Sequence, residues 1–346
     1  MRVAIFGVGR LGAFHAKTLH AQPDVTELLI ADADTTRAAD TAARLGPGAS
    51  ATASVDDAFA AAPDAVVIAS ATSTHAQLIS KAAAAGLPTY CEKPVATTLA
   101  GTVSALRRVE AANTILQMGF QRRFDPGYRA AREAVHSGRL GRLHTIRAMT
   151  SDMTPPPPDY VPLSGGLYRD CLIHDFDITR WVTGREITEV YAIGANGGAD
   201  FFRAAGDVDT AAALLTLDDG TLVTTTATRY NGSGYDVRME LAGTRDQIAV
   251  GVDPRTPLVS MEPGSATDVP NPWTGFLERF HAAYQEELDT FIQVVQGKRA
   301  NPCDGGEALK ALLVAEACEI SRRQRRPVAI AEVQEQADAL AKEAVA

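Results

Sequence analysis

The opening residues of the chain, Arg2-Val-Ala-Ile-Phe-Gly-Val-Gly-Arg-Leu-Gly12, constrain the fold more than any other stretch. A short apolar run ends in closely spaced glycines, and a helical pattern follows at once. A G-x-G-x-x-G motif carries weight only in this strand-turn-helix setting. The same alternation continues to about residue 120. Short apolar runs (Thr26–Asp32, Asp64–Ser70, Pro88–Lys93, Thr114–Phe120) alternate with helical patterns over Leu11–His20, Thr35–Leu45, Thr74–Ala85 and Leu99–Asn113. Repeated βαβ units of this kind predict an α/β domain, a doubly wound Rossmann parallel sheet over residues 1–120.

Beyond residue 120 the rhythm changes. A helix is predicted over Pro126–Ser137. Strand-like segments follow at Glu189–Asn196, Asp209–Leu217, Thr221–Tyr230 and Tyr235–Gly243, separated by turn chemistry such as Leu217-Asp-Asp-Gly-Thr221. Hairpin signals between alternating segments predict an open, mainly antiparallel sheet in an α+β domain over 121–331. Long helices are expected over Thr274–Gln296 and Gly305–Arg323, and a helical tail over 332–346. A total of 346 residues suits two domains.

The net charge of −9 leaves no basic excess for a nucleic-acid surface. The four cysteines, at 91, 171, 303 and 318, lack a metal-ligand spacing and read as thiols of a reducing compartment, with no zinc expected. No apolar run reaches the roughly 20 residues that span a bilayer, and no signal-peptide pattern opens the chain. A soluble, cytoplasmic protein is expected.

In the glycine turn, Gly7 permits the tight bend, Gly9 lets a pyrophosphate approach the backbone, and Gly12 lets helix and strand pack. Arg10 and Leu11 open the helix whose N-terminus supplies donors. Asp32 ends the second strand 20 residues beyond Gly12, where a carboxylate can accept both adenosine ribose hydroxyls. It would repel a 2′-phosphate, so NAD is expected over NADP, with Arg37 as the group that could soften that choice. Thr72 and His75 lie in a strand-to-helix turn on the same sheet edge, either as cofactor neighbours or as helix-capping residues. Glu92-Lys93-Pro94 ends another strand, and the proline restricts the lysine backbone and hence where its ammonium points.

In Gly165-Gly-Leu-Tyr-Arg-Asp-Cys-Leu-Ile-His174, Asp170 and His174 stand four residues apart at the start of a helical pattern. Such a pair would share a helix face. Oxidising an alcohol removes a hydride and a hydroxyl proton, so a base titrating near neutrality is needed, and histidine fits. An aspartate one turn away can fix the imidazole tautomer, and a lysine can stabilise a developing alkoxide. The plain alternative is an Asp–His pair that only steadies the helix.

The glycine motif, the Glu-Lys-Pro of 92–94, Gly119–Pro126, Ser164–Trp181 and Phe276–Ile292 together resemble the glucose-fructose oxidoreductase/inositol dehydrogenase (Gfo/Idh/MocA) family, most closely its myo-inositol 2-dehydrogenase branch. The resemblance runs from residue 1 to about 331. It implies NAD-dependent oxidation of a cyclitol hydroxyl, with Lys93, Asp170 and His174 acting on the substrate and Glu92 near the cofactor. It also implies a polyol site drawing on Arg123 and Tyr235, with Asp236 and Tyr284 as weaker candidates, and a homo-oligomer, a tetramer by family likeness. Two other readings stay open: a dehydrogenase of scyllo-inositol, another cyclitol or a pyranose, and a non-catalytic sensor of NAD and sugar. One departure stands out. Where the inositol branch has an arginine-containing stretch before its proline-rich loop, this chain reads Thr150-Ser-Asp-Met153.

Overall fold

A computed structural model describes residues 1–266 and 268–343, so residues 344–346 of the expected tail lie outside the described residues. The chain divides into two compact units. The first holds Met1–Gln121 and Ala282–Leu309, and the chain rejoins it from Ala337. The second holds Arg122–His281 and Lys310–Gln336.

The first unit is built on six parallel strands: β1 (Arg2–Phe6), β2 (Glu27–Ala31), β3 (Ala49–Ala51), β4 (Ala65–Ile68), β5 (Thr89–Glu92) and β6 (Leu116–Gly119). Their order is β3-β2-β1-β4-β5-β6, the doubly wound arrangement whose direction of winding switches between β1 and β4. Val3, Ile5, Leu28, Ile30, Ala65 and Val67 are buried, as expected of strands covered on both faces. Helices fall where the periodicity places them, at Arg10–His20, Thr35–Leu45, Thr72–Ala84 and Leu99–Ala112. The side chains of Asp34 and Thr98 cap two of them by accepting the Arg37 and Gly101 amides. The three-residue β3 and the short helix Val55–Ala60 are too brief for a periodic signal.

A single helix over Thr274–Gln296 is not what forms. A turn at Phe276–Arg279 is separated by Phe280 (φ −108°, ψ 20°) from the helix His281–Val295. Local bonds hold the first turn in its own orientation: Glu278 accepts the Thr274 amide and hydroxyl at 3.1 and 2.8 Å, and Arg279 pairs with Asp125 at 2.8 Å. The longer helix sends Leu288, Phe291 and Ile292 into the same core as Val3, Ile5 and Tyr90. Sealing three large apolar side chains there contributes about 1.5–3 kcal/mol each. This is why a segment remote in sequence belongs to the nucleotide-type unit.

The second unit is built on β7 (Leu143–Ser151), β8 (Ile187–Ala195), β9 (Thr210–Leu217), β10 (Leu222–Thr228), β11 (Asp236–Gly243), β12 (Gln247–Val250) and β13 (Val328–Ala329). The order is β12-β11-β7-β10-β9-β8-β13. Only the β7–β10 contact is parallel, so the sheet is open and mainly antiparallel. In β9 the alternation is clean: Ala211, Ala213, Leu215 and Leu217 are buried, while Leu214 is 58% exposed. One face packs inward, with Ser321 of the helix Gly305–Gln324 accepting the Ala192 amide at 2.9 Å. The other face carries Tyr191, Ile193, Leu214 and Leu222 in the open.

Candidate active site

In the first unit the carboxyl ends of β1, β2, β4 and β5 present the glycine turn, Asp32, Ser70 and Lys93 along one edge, because all four strands run the same way. Gly7 has φ +88°, and a β-carbon there would lie 2.4 Å from Ser70 Cα. Gly9 differs in kind, because a β-carbon on it would meet nothing within 4 Å. Gly9 is the N-cap of Arg10–His20, with no side chain satisfying that helix end. The turn therefore leaves an open, donor-lined cradle, which fits a dinucleotide pyrophosphate. Arg10 is exposed and Leu11 half-buried at its rim.

Asp32 is tied across the turn. Its Oδ2 accepts the Val8 amide at 2.7 Å, and its Oδ1 accepts the Asp34 amide at 2.9 Å and pairs with Arg37 at 3.2 Å. Arg37 also pairs with Asp34 at 3.3 Å, so its charge is answered twice by carboxylates. Both features suit a cofactor without a 2′-phosphate.

Lys93 is half-buried and follows directly on β5. The residues around it are braced from inside the unit. Glu92 is buried, and its Oε1 lies 2.7 Å from His15 Nε2 and accepts the Tyr90 hydroxyl at 2.9 Å. Tyr90 also lies 2.9 Å from Glu287, and burial, reinforced by both carboxylates, pushes its hydroxyl pKa well up. Next to the lysine, His75 Nδ1 stands 2.8 Å from the Pro94 carbonyl and Nε2 stands 3.0 Å from that of Ser70. Burial lowers the His75 pKa, against the pull of the two carbonyl contacts, which raise it. Glu92 and His75 thus use their side chains on the protein itself. Thr72 opens its helix without capping it; the local hydroxyl bond is Ser70 to Thr74 at 2.7 Å.

In the second unit Asp170 lies in a π-helical turn, Tyr168–Leu172, and His174 in the α-helix Ile173–Thr183 that continues it. The expectation of regular α spacing between them is corrected by this turn, which is wider than an α turn. Such single π turns are frequent at functional sites. Asp170 and His174 are both half-buried. Asp170 Oδ1 accepts the Tyr160 hydroxyl at 3.0 Å, and Oδ2 pairs with Arg229 at 2.6 Å.

The helix bearing His174 is held by two buried ion pairs. Arg122 reaches Asp175 at 2.7 Å and Thr150 at 2.8 Å, and Arg123 grips Asp177 through both Nε (2.9 Å) and Nη2 (2.5 Å). All four charged side chains are at most 3% exposed. Desolvation makes such pairs weak net stabilisers, but removing one partner costs about 3–5 kcal/mol. Arg123, expected to meet a polyol, here uses its fork on Asp177. Tyr235 is buried, with its hydroxyl pKa pushed up first by that burial. Asp236 pairs with Arg238 at 2.9 Å. In the first unit, Tyr284 packs edge-on against Phe14 and His15 at 5.9 and 5.8 Å between ring centroids.

Residues 1–120 match the oxidoreductase family with NAD-binding Rossmann fold, and residues 128–249 match the GFO/IDH/MocA C-terminal domain. A myo-inositol dehydrogenase of Streptomyces leeuwenhoekii is 37% identical over 91% of this chain and 96% of its own length. The myo-inositol 2-dehydrogenase of Thermotoga maritima is 34% identical over 96% of this chain and 99% of its own. The chain belongs to the Gfo/Idh/MocA oxidoreductase family. The crystal structure of a scyllo-inositol dehydrogenase from Lactobacillus casei, with bound NAD(H) and scyllo-inositol, superposes with a TM-score of 0.84 at 28% identity, covering 96% of this chain and 99% of that one. NAD is the family cofactor, and the Gly9 cradle and Asp32 are the features of this member that suit it.

Sequence reasoning missed Arg122, Arg229, Tyr160 and His15. Arg122, Arg229 and His15 act through partners more than 50 residues away, and Tyr160 reaches Asp170 from the end of a proline-rich loop whose path no local spacing announces. Among the described residues no cluster of three or more His, Cys, Asp or Glu side chains could hold a metal ion.

Since Gly9 is open where Gly7 is crowded, Gly9→Val is expected to fold with an unchanged melting temperature yet bind NAD about tenfold more weakly or worse, through loss of backbone approach. Calorimetric titration with NAD, alongside thermal unfolding of the ligand-free variant, checks both halves.

Proposed function

We propose that this protein oxidises a ring hydroxyl of a cyclitol to a ketone with NAD, and that myo-inositol, giving 2-keto-myo-inositol, is its substrate. The observation that carries this reading is that relatives named as myo-inositol dehydrogenases match nearly the whole chain, and this chain has Lys93, Asp170 and His174 at the positions the resemblance assigns to catalysis.

When bound, NAD supplies the hydride acceptor. The remaining work falls to the chain. His174 takes the proton of the reacting hydroxyl, because imidazole titrates near neutrality. Asp170, already anchored at both oxygens, offers a fixed negative charge to the imidazolium that forms. Lys93 stabilises the alkoxide character that develops as the proton leaves. Residues 1–120, with the helix His281–Val295 packed into their core, serve as the cofactor domain, and the rest of 121–331 serves substrate binding and assembly. Arg123 and Tyr235 belong to the substrate side; with its fork on Asp177, Arg123 acts mainly by fixing the helix of His174.

A second reading, oxidation of scyllo-inositol or another cyclitol, is favoured by one feature. The stretch Thr150–Met153 lacks the arginine that the inositol branch carries before its proline-rich loop, and its Asp152 lies close enough to Asp170 to interact with it. A cytoplasmic location fits the four buried cysteine thiols, and among the described residues no helix is long and apolar enough to cross a membrane. The exposed apolar stripe of Tyr191, Ile193, Leu214 and Leu222 supports a homo-oligomer, a tetramer by family likeness, joined through this sheet face. Leu214→Asp places a charge in that stripe, and the assembly is expected to fall to a smaller species by light scattering after size exclusion. An unchanged mass would remove the face from the interface.

Purified protein with NAD and a panel of cyclitols and pyranoses, followed at the reduced nicotinamide absorbance, is expected to turn over myo-inositol fastest. Lys93→Met and His174→Gln should each lower kcat by about a hundredfold or more while NAD affinity is kept. Turnover of no polyol would instead favour a sensor of NAD and sugar.

A further inference from the structure

We propose that Arg229 is a positioning residue for Asp170, the centre of a buried clamp that fixes the orientation and the charge of that carboxylate; this rests on the reading of Asp170 as part of the reacting set.

The clamp follows from strand pairing. β7 and β10 are the one parallel pair in the second sheet, with Ser151 opposite Thr228. The residues that follow them, Asp152 and Arg229, therefore leave the sheet side by side at the same end. The Asp152 amide donates to the Thr228 carbonyl at 2.9 Å, and the Arg229 amide donates to the Asp209 carbonyl at 2.8 Å, so both backbones are fixed. The π turn brings Asp170 and Cys171 against this corner.

Arg229 is 4% exposed and spends its guanidinium on three groups of this corner. Nη2 donates to Asp170 Oδ2 at 2.6 Å; Nη1 donates to Asp152 Oδ2 at 2.9 Å and to Cys171 Sγ at 2.9 Å. The thiol of Cys171 turns toward the same Asp152 oxygen at 3.7 Å. Tyr160 fixes the other oxygen of Asp170. The titratable and charged groups at this corner with Asp170 include Arg229, Asp152, Cys171 and Tyr160. Burial is the largest influence on Asp152 and raises its pKa, against the pull of Arg229.

The charge count explains the design. Two carboxylates lie within reach of one guanidinium in a site with little water. Without that cation they would repel each other, and each would favour its protonated form. A protonated Asp170 cannot stabilise an imidazolium. A carboxylate held at both oxygens also cannot rotate away from its task. In this chain the cationic partner at the corner comes from the end of β10.

The test is Arg229→Gln in the full-length protein with NAD and myo-inositol. The expected result is a kcat lower by about tenfold or more, an unchanged Kd for NAD, and an acid limb of the kcat profile displaced to higher pH by about one unit or more. Should the single variant fail to fold, Asp152→Asn/Arg229→Gln removes both charges together and is expected to fold and to show a limb displaced in the same direction but by less, because Asp170 has lost its cation and its repelling neighbour alike. Millimolar guanidinium added to Arg229→Ala should restore part of the lost rate. A kcat and pH profile like the wild type's would overturn the proposal, and so would a fall in kcat with the acid limb unmoved, the mark of a merely structural role. If the wild-type protein turns over no cyclitol, it is the functional reading that fails. The clamp is then read alone, by carbon-13 NMR of labelled aspartate carboxyls, with the Asp170 signal assigned through its loss in Asp170→Asn. Ionisation of Asp170 at a higher pH in Arg229→Gln than in the wild type supports the clamp, and ionisation at the same pH in both overturns it.

Discussion

The parallel pairing of β1 with β2 on one side and β4 on the other is the constraint from which the rest of the nucleotide unit follows. Parallel strands end on the same edge, so the turn after β1, the acid after β2 and the lysine after β5 are brought to one side without being near in sequence. The bond from the Val8 amide to Asp32 closes that edge, tying the first turn to the second strand. The sheet can do this only because it is buried on both faces, and part of that cover comes from Leu288, Phe291 and Ile292, nearly 200 residues downstream of β5. Core and cofactor edge are one construction.

The second unit solves a different problem. Its His174 and Asp170 are both half-buried, on a helix and a turn fixed from beneath. What fixes them is buried charge. Arg122 and Arg123 hold Asp175 and Asp177 on the helix of His174, and Arg229 holds Asp170 on the π turn before it. Buried ion pairs contribute little net stability because desolvation offsets their attraction, so their value here is geometric. Of the four acids at 152, 170, 175 and 177, Asp175 and Asp177 each take one arginine and Asp152 and Asp170 share Arg229, which leaves few alternative packings of this segment.

Most of the fold was legible in the sequence because it rests on periodicity. The βαβ rhythm over the first 120 residues, the glycine turn and the hairpin chemistry around Asp218–Thr221 all report local structure, and the strands form within a residue or two of their apolar runs. Three things were not legible. Phe280 breaks a helix whose apolar spacing continues through it, because contacts of Glu278 and Arg279 outweigh helical propensity. The return of His281–Val295 to the first core depends on tertiary packing, which sequence order does not display. The π turn at Tyr168–Leu172 has the composition of an ordinary helix start. The site was legible in the same proportion. Lys93, Asp170 and His174 stood out by residue type and context, whereas Arg229, Arg122, His15 and Tyr160 carry no signal until their partners are known. Arg123 stood out as a polyol contact, and its grip on Asp177 carried no signal in the sequence.

The central claim is that the ammonium of Lys93 and the acid-steered imidazole of His174 act on the same substrate oxygen. A crystal structure of the ternary complex with NAD and myo-inositol tests it most directly. The expected result is one ring hydroxyl within hydrogen-bonding distance of both Lys93 Nζ and a His174 ring nitrogen, with its carbon facing the nicotinamide. A bound inositol whose reacting hydroxyl meets neither group, or only one of them, would contradict it.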